Sequence, residues 1–332
     1  MNQIKEKLQE FWKKVQKFFA KMYTETPNKE KNEESSWSVG DIFATCLRTL
    51  KLLWDVMIAL FVCLFLFGAG IGIGYAASLF SNVKVPKTEE LVQQVRNVSS
   101  VSKLTYSDKS LIAEVDSDLI RTPVAGDAIS DNVKKAVIAT EDENFESHKG
   151  VVPKAVLRAT LGSVAGVGSS SGGSTLTQQL IKQQVVGDAP TFTRKATEIV
   201  DALALERGMD KNEILTTYLN VSPFGRNNRG QNIAGVEAAA QGIFGVSAKD
   251  LSVPQAAFIA GLPQSPIVYS PYAADGSLKS KENLELGLAR AKDVLFNMYR
   301  TGALSKKGLR DLCSVRLDQR LHGSRWHREN TA

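Results

Sequence analysis

Cysteine is nearly absent: Cys46, Cys63 and Cys313 are the only three in 332 residues. They lie far apart and form no CxxC pair, and only three histidines accompany them, so neither a disulfide framework nor a zinc site is expected. No internal repeat of solenoid period is present. A large excess of one charge is also missing. Lys and Arg number 41 against 35 Asp and Glu, a net charge of +6, which favours anionic partners without choosing among nucleic acid, lipid headgroups and a phosphorylated substrate. No DNA- or RNA-binding motif accompanies the basic residues, so nucleic acid is not expected as a partner. With 43% hydrophobic residues and 23% charged, the chain is not disordered throughout and has room for one or two domains.

What stands out is an apolar run. Residues 56–80, VMIALFVCLFLFGAGIGIGYAASLF, carry no charge over about 25 positions, more than the roughly 20 that span a bilayer. The run follows a long polar segment, so it reads as a retained anchor rather than a cleaved signal, with a soluble core helix as the alternative. Gly68, Gly70, Gly72 and Gly74 suit close helix packing, but small residues are common in spanning helices and imply no dimer. Arg48 and Lys51 flank one end and Lys84, Lys87 and Arg96 the other, which leaves orientation open. Within residues 1–51, Ile4, Leu8, Phe11, Trp12, Val15, Phe18, Phe19 and Met22 form one helical stripe, with lysines on the remaining surface. Such a helix suits the phospholipids of an anionic cytoplasmic leaflet; a partner-binding or coiled-coil helix is the other reading. Together these features predict a single-pass protein of the cell membrane, with the N-terminus cytoplasmic and everything after Phe80 outside.

Five segments are expected. Residues 1–51 are the amphipathic helix and a polar linker (24–40), 52–80 the transmembrane helix, and 81–127 a short β-containing connector. Residues 128–300 show apolar positions three and four apart in DNVKKAVIATEDENF, VPKAVLRATLG, TLTQQLIKQ, TRKATEIVDALALERG, KNEILTTYLN, NIAGVEAAAQGIFG and VPQAAFIAGLP, which predicts a mainly α domain. GSVAGVGSSSGGS, inside it, reads equally as a flap or a solvated linker. Residues 301–332 are an atypical tail, rich in Arg and His from Arg310 onward and without Lys, as a truncation or frame-shift would leave it; an unusual natural tail is the alternative.

Three stretches carry polar groups that a structural helix does not need. In AVIATEDENFESHKGV an apolar helical run ends at Glu141, Asp142 and Glu143, with Phe145, His148 and Gly150 after them. A carboxylate crowded by like charges beside apolar groups is suited to act as a base, and an acidic solvated helix end is the plain alternative. In SSSGGSTLTQQLIKQ, glycines precede a helix that starts at Ser174 and Thr175, where free N–H groups hold phosphates. Thr175 and Gln178 also match a capping box, which explains both without a ligand. Gln179 and Lys182 are not explained by capping. In FTRKATEIVDALALER, Arg194, Lys195 and Glu198 share one helix, and a surface ion pair accounts for them equally well.

In combination these stretches resemble glycosyltransferase family 51, the peptidoglycan glycosyltransferase domain of class A penicillin-binding proteins and its monofunctional relatives. The resemblance covers about residues 90–300: EDENFESHKG, GGSTLTQQLIK and RKATE look like its first three motifs, KNEILTTYLNVSPFG with GVEAAAQGIFG the fourth, and LSVPQAAFIAGLPQSP the fifth. It implies a mainly α, lysozyme-like fold with head and jaw lobes, and polymerisation of lipid II with inversion and release of polyprenyl pyrophosphate. Glu141 falls on the family's catalytic base and Glu198 on its second essential glutamate. Lys182, Arg194 and Lys195 suit the pyrophosphate; Ser174, Thr175, Gln178 and Gln179 suit positioning of pyrophosphate and sugars; Asp142, Phe145 and His148 shape the cleft. Lipid II, the growing lipid-linked glycan, phospholipids and cell-wall or division proteins are the implied partners. No cofactor is obligatory, no dedicated metal ligands are visible, and a divalent cation, Mg or Mn, at the pyrophosphate is left open.

The chain departs from some relatives in VVGDAPTFT, which holds no cation where they carry one between the second and third motifs; pyrophosphate binding is then expected to lean on Arg194 and Lys195. The ordered Ser-x-x-Lys, Ser-x-Asn and Lys-Thr-Gly of a transpeptidase domain are not found, so acylation by penicillin is not expected. Two rival readings remain. A lytic glycosidase also uses a glutamate in a cleft, though it has no pyrophosphate for the cations to hold. A catalytically inactive membrane scaffold would tolerate loss of Glu141.

Overall fold

The computed structural model describes residues 39–81, 83–97, 103–105, 111–114, 119–164 and 173–313, with short helical pieces between residues 6 and 17. The chain divides into two compact units, Met1–Gly72 and Ile73–Ala332. Of the N-terminal stripe only Trp12 lies among the described residues, where it is helical and exposed. Most of the Gly/Ser segment and the tail beyond residue 313 lie outside them.

Helix α1 runs Val39–Ser81, 43 residues, or about 65 Å at 1.5 Å per residue, roughly twice the hydrocarbon thickness of a bilayer. It starts at the edge of the stretch read as linker, where Gly40 stands in the first turn and no proline or further glycine follows before Leu52. From Ile42 to Ser81 it is long and apolar enough to cross a membrane, and no residue of its most apolar stretch is buried.

The second unit is mainly α, as expected, and it begins before residue 128. Helix α2 (Thr88–Arg96) buries Leu91, Val92 and Val95 against α6 (Phe192–Leu205). Within the stretch read as a connector, Thr88–Arg96 is therefore part of the packed domain. Its β character is real but slight. Strands β1 (Lys103–Thr105) and β2 (Leu111–Glu114) pair antiparallel. Strand β3 (Leu119–Arg121) pairs in parallel with β5 (Asn232–Ala234), which pairs antiparallel with β4 (Pro223–Arg226). Alternation over three or four residues is too short to separate from helical spacing, and β5 lies within a segment read as helix.

Around this small sheet the helices form one core. Helix α3 (Asp131–Glu141), capped by Ser130, presents Val133, Ala136 and Val137 to α9 (Val253–Gly261), whose residues from Pro254 are all buried. Both pack on α11 (Lys281–Arg300) through Ala291, Val294, Leu295 and Met298. A second group joins α5 (Leu176–Ile181) to α6 and to α7 (Lys211–Val221). Helix α4 (Pro153–Val164), the short α8 (Val236–Ala239) and α10 (Pro266–Tyr269), and α12 (Lys306–Cys313) complete the unit. Helix α11, its longest, was not singled out by periodicity, and α12 extends the packing into the tail through Leu309 and Leu312.

Candidate active site

Glu141 is the last residue of α3, and its side chain is only 14% exposed. Its carboxylate accepts a hydrogen bond from Gln179 Nε2 on α5 at 2.9 Å and stands 3.6 Å from Arg290 Nη2 on α11. The buried Tyr218 of α7 donates its hydroxyl to Gln179 Oε1 at 3.0 Å. Burial, aided by the charge of Glu141, holds the Tyr218 phenol above its ordinary range, so it remains a donor. That fixes the amide orientation, with NH2 turned toward Glu141.

Asp142 is buried and ties two motifs together: one oxygen accepts from His148 Nε2 at 2.8 Å and from the Leu176 N–H at 2.9 Å. The Gly150 N–H donates to His148 Nδ1 at 3.1 Å, so the imidazole carries its proton on Nε2 and gives it to Asp142. Gly150 has φ +91° and a Cβ there would lie 2.5 Å from the Ala202 carbonyl oxygen, so no other residue fits. Phe145 is fully buried, with the Lys211 ammonium 4.5 Å from its ring centroid. Lys211 also donates to Glu206 at 2.7 Å, and Glu206 accepts from Thr177 at 2.6 Å. Asp142, Phe145 and His148 thus support the end of α3 from behind.

Thr175 and Gln178 form the capping box of α5, and Thr175 Oγ1 also donates to the Gly150 carbonyl at 2.6 Å. Both are buried.

The cationic cluster is built on α6, capped by Thr191. Arg194 and Lys195 leave its first turn, and both reach the buried Glu198, Arg194 Nη1 at 2.5 Å and Lys195 Nζ in direct contact. Lys195 also donates to Ser174 Oγ at 2.8 Å. Lys182 opens the π-helical turn Lys182–Val186 after α5, a widened geometry frequent at functional sites, and pairs with Asp188 at 2.6 Å.

Glu141 and Ser174, the latter bonded to Lys195, meet at one cavity of about 440 Å³, lined also by Lys154 and Arg158 of α4 and by Arg300. Arg300 pairs with Glu143 at 2.6 Å at its edge. The cavity brings together Glu141, Asp142, Ser174 and Thr175; Phe145, Gln178, Gln179, Lys182, Arg194, Lys195 and Glu198 do not line it. Arg290, Tyr218, Lys211 and Glu206 were missed from the sequence. Arg290 sits in ordinary amphipathic helix and Glu206 just past the end of α6, while Lys211 and Tyr218 lie in the fourth motif-like stretch, where no single residue was picked out.

Among the described residues the donor set offers a metal no protein cage. Glu198 and Asp188 are each engaged by cations, and among the described residues no group of three or more His, Cys, Asp or Glu is placed to hold one.

Residues 108–298 match the family model described as Transglycosylase. Penicillin-binding protein 1A of Clostridium perfringens (strain 13) is 37% identical over 225 residues, covering 66% of this chain and 32% of that protein. The protein of the same name from Clostridium botulinum (strain Langeland) is 35% identical over 273 residues, 80% and 31% of the two chains. That of Streptococcus oralis is 33% identical over 245 residues, 73% and 36%. The chain spans about a third of the length of these curated relatives. With more than half of its residues inside the family model, the chain belongs to the transglycosylase family.

Proposed function

We propose that this chain is a peptidoglycan glycosyltransferase that polymerises lipid II at the outer face of the cell membrane. One observation carries the reading: Glu141, held by an amide and faced by a guanidinium, opens on the same cavity as Ser174, which links it to the cations gathered at Glu198. A base and a cation cluster side by side suit transfer from a pyrophosphate-activated sugar.

On this reading Glu141 takes the proton of the acceptor 4-hydroxyl as that oxygen attacks the anomeric carbon of the lipid-linked donor. The new C–O bond forms as the bond to phosphate breaks, inverting α to β. The electron pair leaves on the polyprenyl pyrophosphate, whose charge Lys182, Arg194 and Lys195 receive. A divalent cation, where used, is held by the substrate's phosphates, and no protein residue is assigned to it. Helix α1 serves as the single-pass anchor, N-terminus inside. A lytic glycosidase would have no need of the cation cluster.

The test is conversion of purified lipid II by the detergent-solubilised chain. Polymer that disappears in Glu141→Gln supports the reading. No polymer from the parent chain, or soluble muropeptides released from a preformed glycan, would replace it with the scaffold or the glycosidase.

A further inference from the structure

The loop between α5 and α6 holds an anion where a cation would help, and the geometry gives that anion a partner. Lys182 begins the π-helical turn, and the Gly187 N–H closes it by donating to the Lys182 carbonyl at 2.9 Å. Gly187 has φ +73° with open space around a would-be Cβ, and it turns the chain back so that Asp188 meets the Lys182 ammonium at 2.6 Å. Asp188 is otherwise open to solvent, its side chain 87% exposed, and Lys182 is 44% exposed. Of the three cations assigned to the leaving group, Arg194 and Lys195 are committed to Glu198.

We infer that Asp188 is an internal competitor for the phosphate site at Lys182, an affinity-setting residue that weakens binding of the pyrophosphate-bearing substrate and eases release of the pyrophosphate product. The inference rests on the proposed function for its substrate, but its chemistry is that of any pyrophosphate. A carboxylate with one charge loses Lys182 to a polyanion, yet it must be displaced each time the site fills and is at hand to retake the ammonium when the site empties. Lys182, with Arg194 adding to it, holds the Asp188 carboxyl below the usual carboxylate range, so it stays ionised and competes throughout the physiological range. Because the pair is exposed, the effect is modest, about two- to fivefold in affinity.

Binding of inorganic pyrophosphate to the solubilised full chain, measured by calorimetry at low salt, tests this without requiring polymerisation. Asp188→Asn is expected to bind it about two- to fivefold more tightly, with the gain fading at high salt. In a Lys182→Gln background the same change should do nothing. With lipid II, KM for Asp188→Asn should fall by a similar factor. Glu285→Asn, the loss of an exposed acid on α11, controls for net charge. Unchanged or weaker pyrophosphate binding in Asp188→Asn overturns the inference, as does an equal gain in the Lys182→Gln background or in Glu285→Asn. A parent chain that binds pyrophosphate as described but makes no polymer would instead remove the proposed function and leave the competition standing.

Discussion

Glu141 ends α3 with a neutral amide at 2.9 Å and a guanidinium at 3.6 Å, whereas Glu198 lies inside α6 with a guanidinium and an ammonium in direct contact and almost no exposed surface. Only Glu141 lines the cavity, and Glu198 is tied to it through Lys195 and Ser174; their surroundings suit different work. A base must be able to accept a proton, which two tight cations oppose, while one amide and a more distant cation orient a carboxylate and leave it a lone pair. A carboxylate saturated by Arg194 and Lys195 instead fixes where those cations stand. On the proposed function, Glu198 is then the organiser of the cluster and Glu141 the group placed to take the proton.

The sharpest break of that comparison is in rate. Glu141→Gln keeps the shape and removes the acceptor, so lipid II polymerisation should fall about 10²- to 10⁴-fold, the range for loss of a general base, with the melting temperature nearly unchanged. Near-full activity would take the base role away from Glu141. Glu198→Gln should instead show itself in the fold, since it leaves Arg194 and Lys195 without their buried counter-charge. Breaking one side of such a pair costs about 3–5 kcal/mol, readable as a lower urea midpoint. An unchanged midpoint would mean that Glu198 does not organise the cluster.

Arg290 tests the other side more gently. At 3.6 Å from Glu141 it orients rather than pairs tightly, so Arg290→Met should lower kcat about tenfold, on the order of 1.4 kcal/mol, with KM little changed and partial recovery in Arg290→Lys. A rise in KM alone would make Arg290 a substrate contact.

The two glutamates were legible in the sequence because each lies in a dense motif; their different surroundings were not. The partners that separate them come from far along the chain: Arg290 lies about 150 residues after Glu141, on a helix whose pattern is only amphipathic, and Tyr218 acts through Gln179. Capping was readable, since the Thr175–Gln178 box depends on neighbours in sequence alone. The sheet was hidden because its three strands are short, and the β3–β5 pair joins residues more than 100 positions apart. Asp188 was read only as a missing cation, and its grip on Lys182 depends on the turn made at Gly187.

Asp201 gives the comparison its control, because it is a buried acid on the same helix as Glu198, one turn on, and its Oδ1 has no hydrogen-bond partner. Burial alone pushes its carboxyl from 3.8 up to about 6. Between those values the folded chain keeps a proton that the unfolded chain has lost, so stability falls as pH rises through this window and the loss is complete above it. Asp201→Asn removes the buried charge and should be more stable than the parent at pH 7.5, by an amount on the order of 1–2 kcal/mol after relaxation around the charge. The difference should vanish below about pH 3, where the carboxyl is protonated in both the folded and the unfolded chain, and urea melts at the two pH values measure it. A variant less stable than the parent at pH 7.5 would mean that the Asp201 carboxylate is compensated as Glu198 is, and burial without a cation would no longer distinguish these two acids of α6.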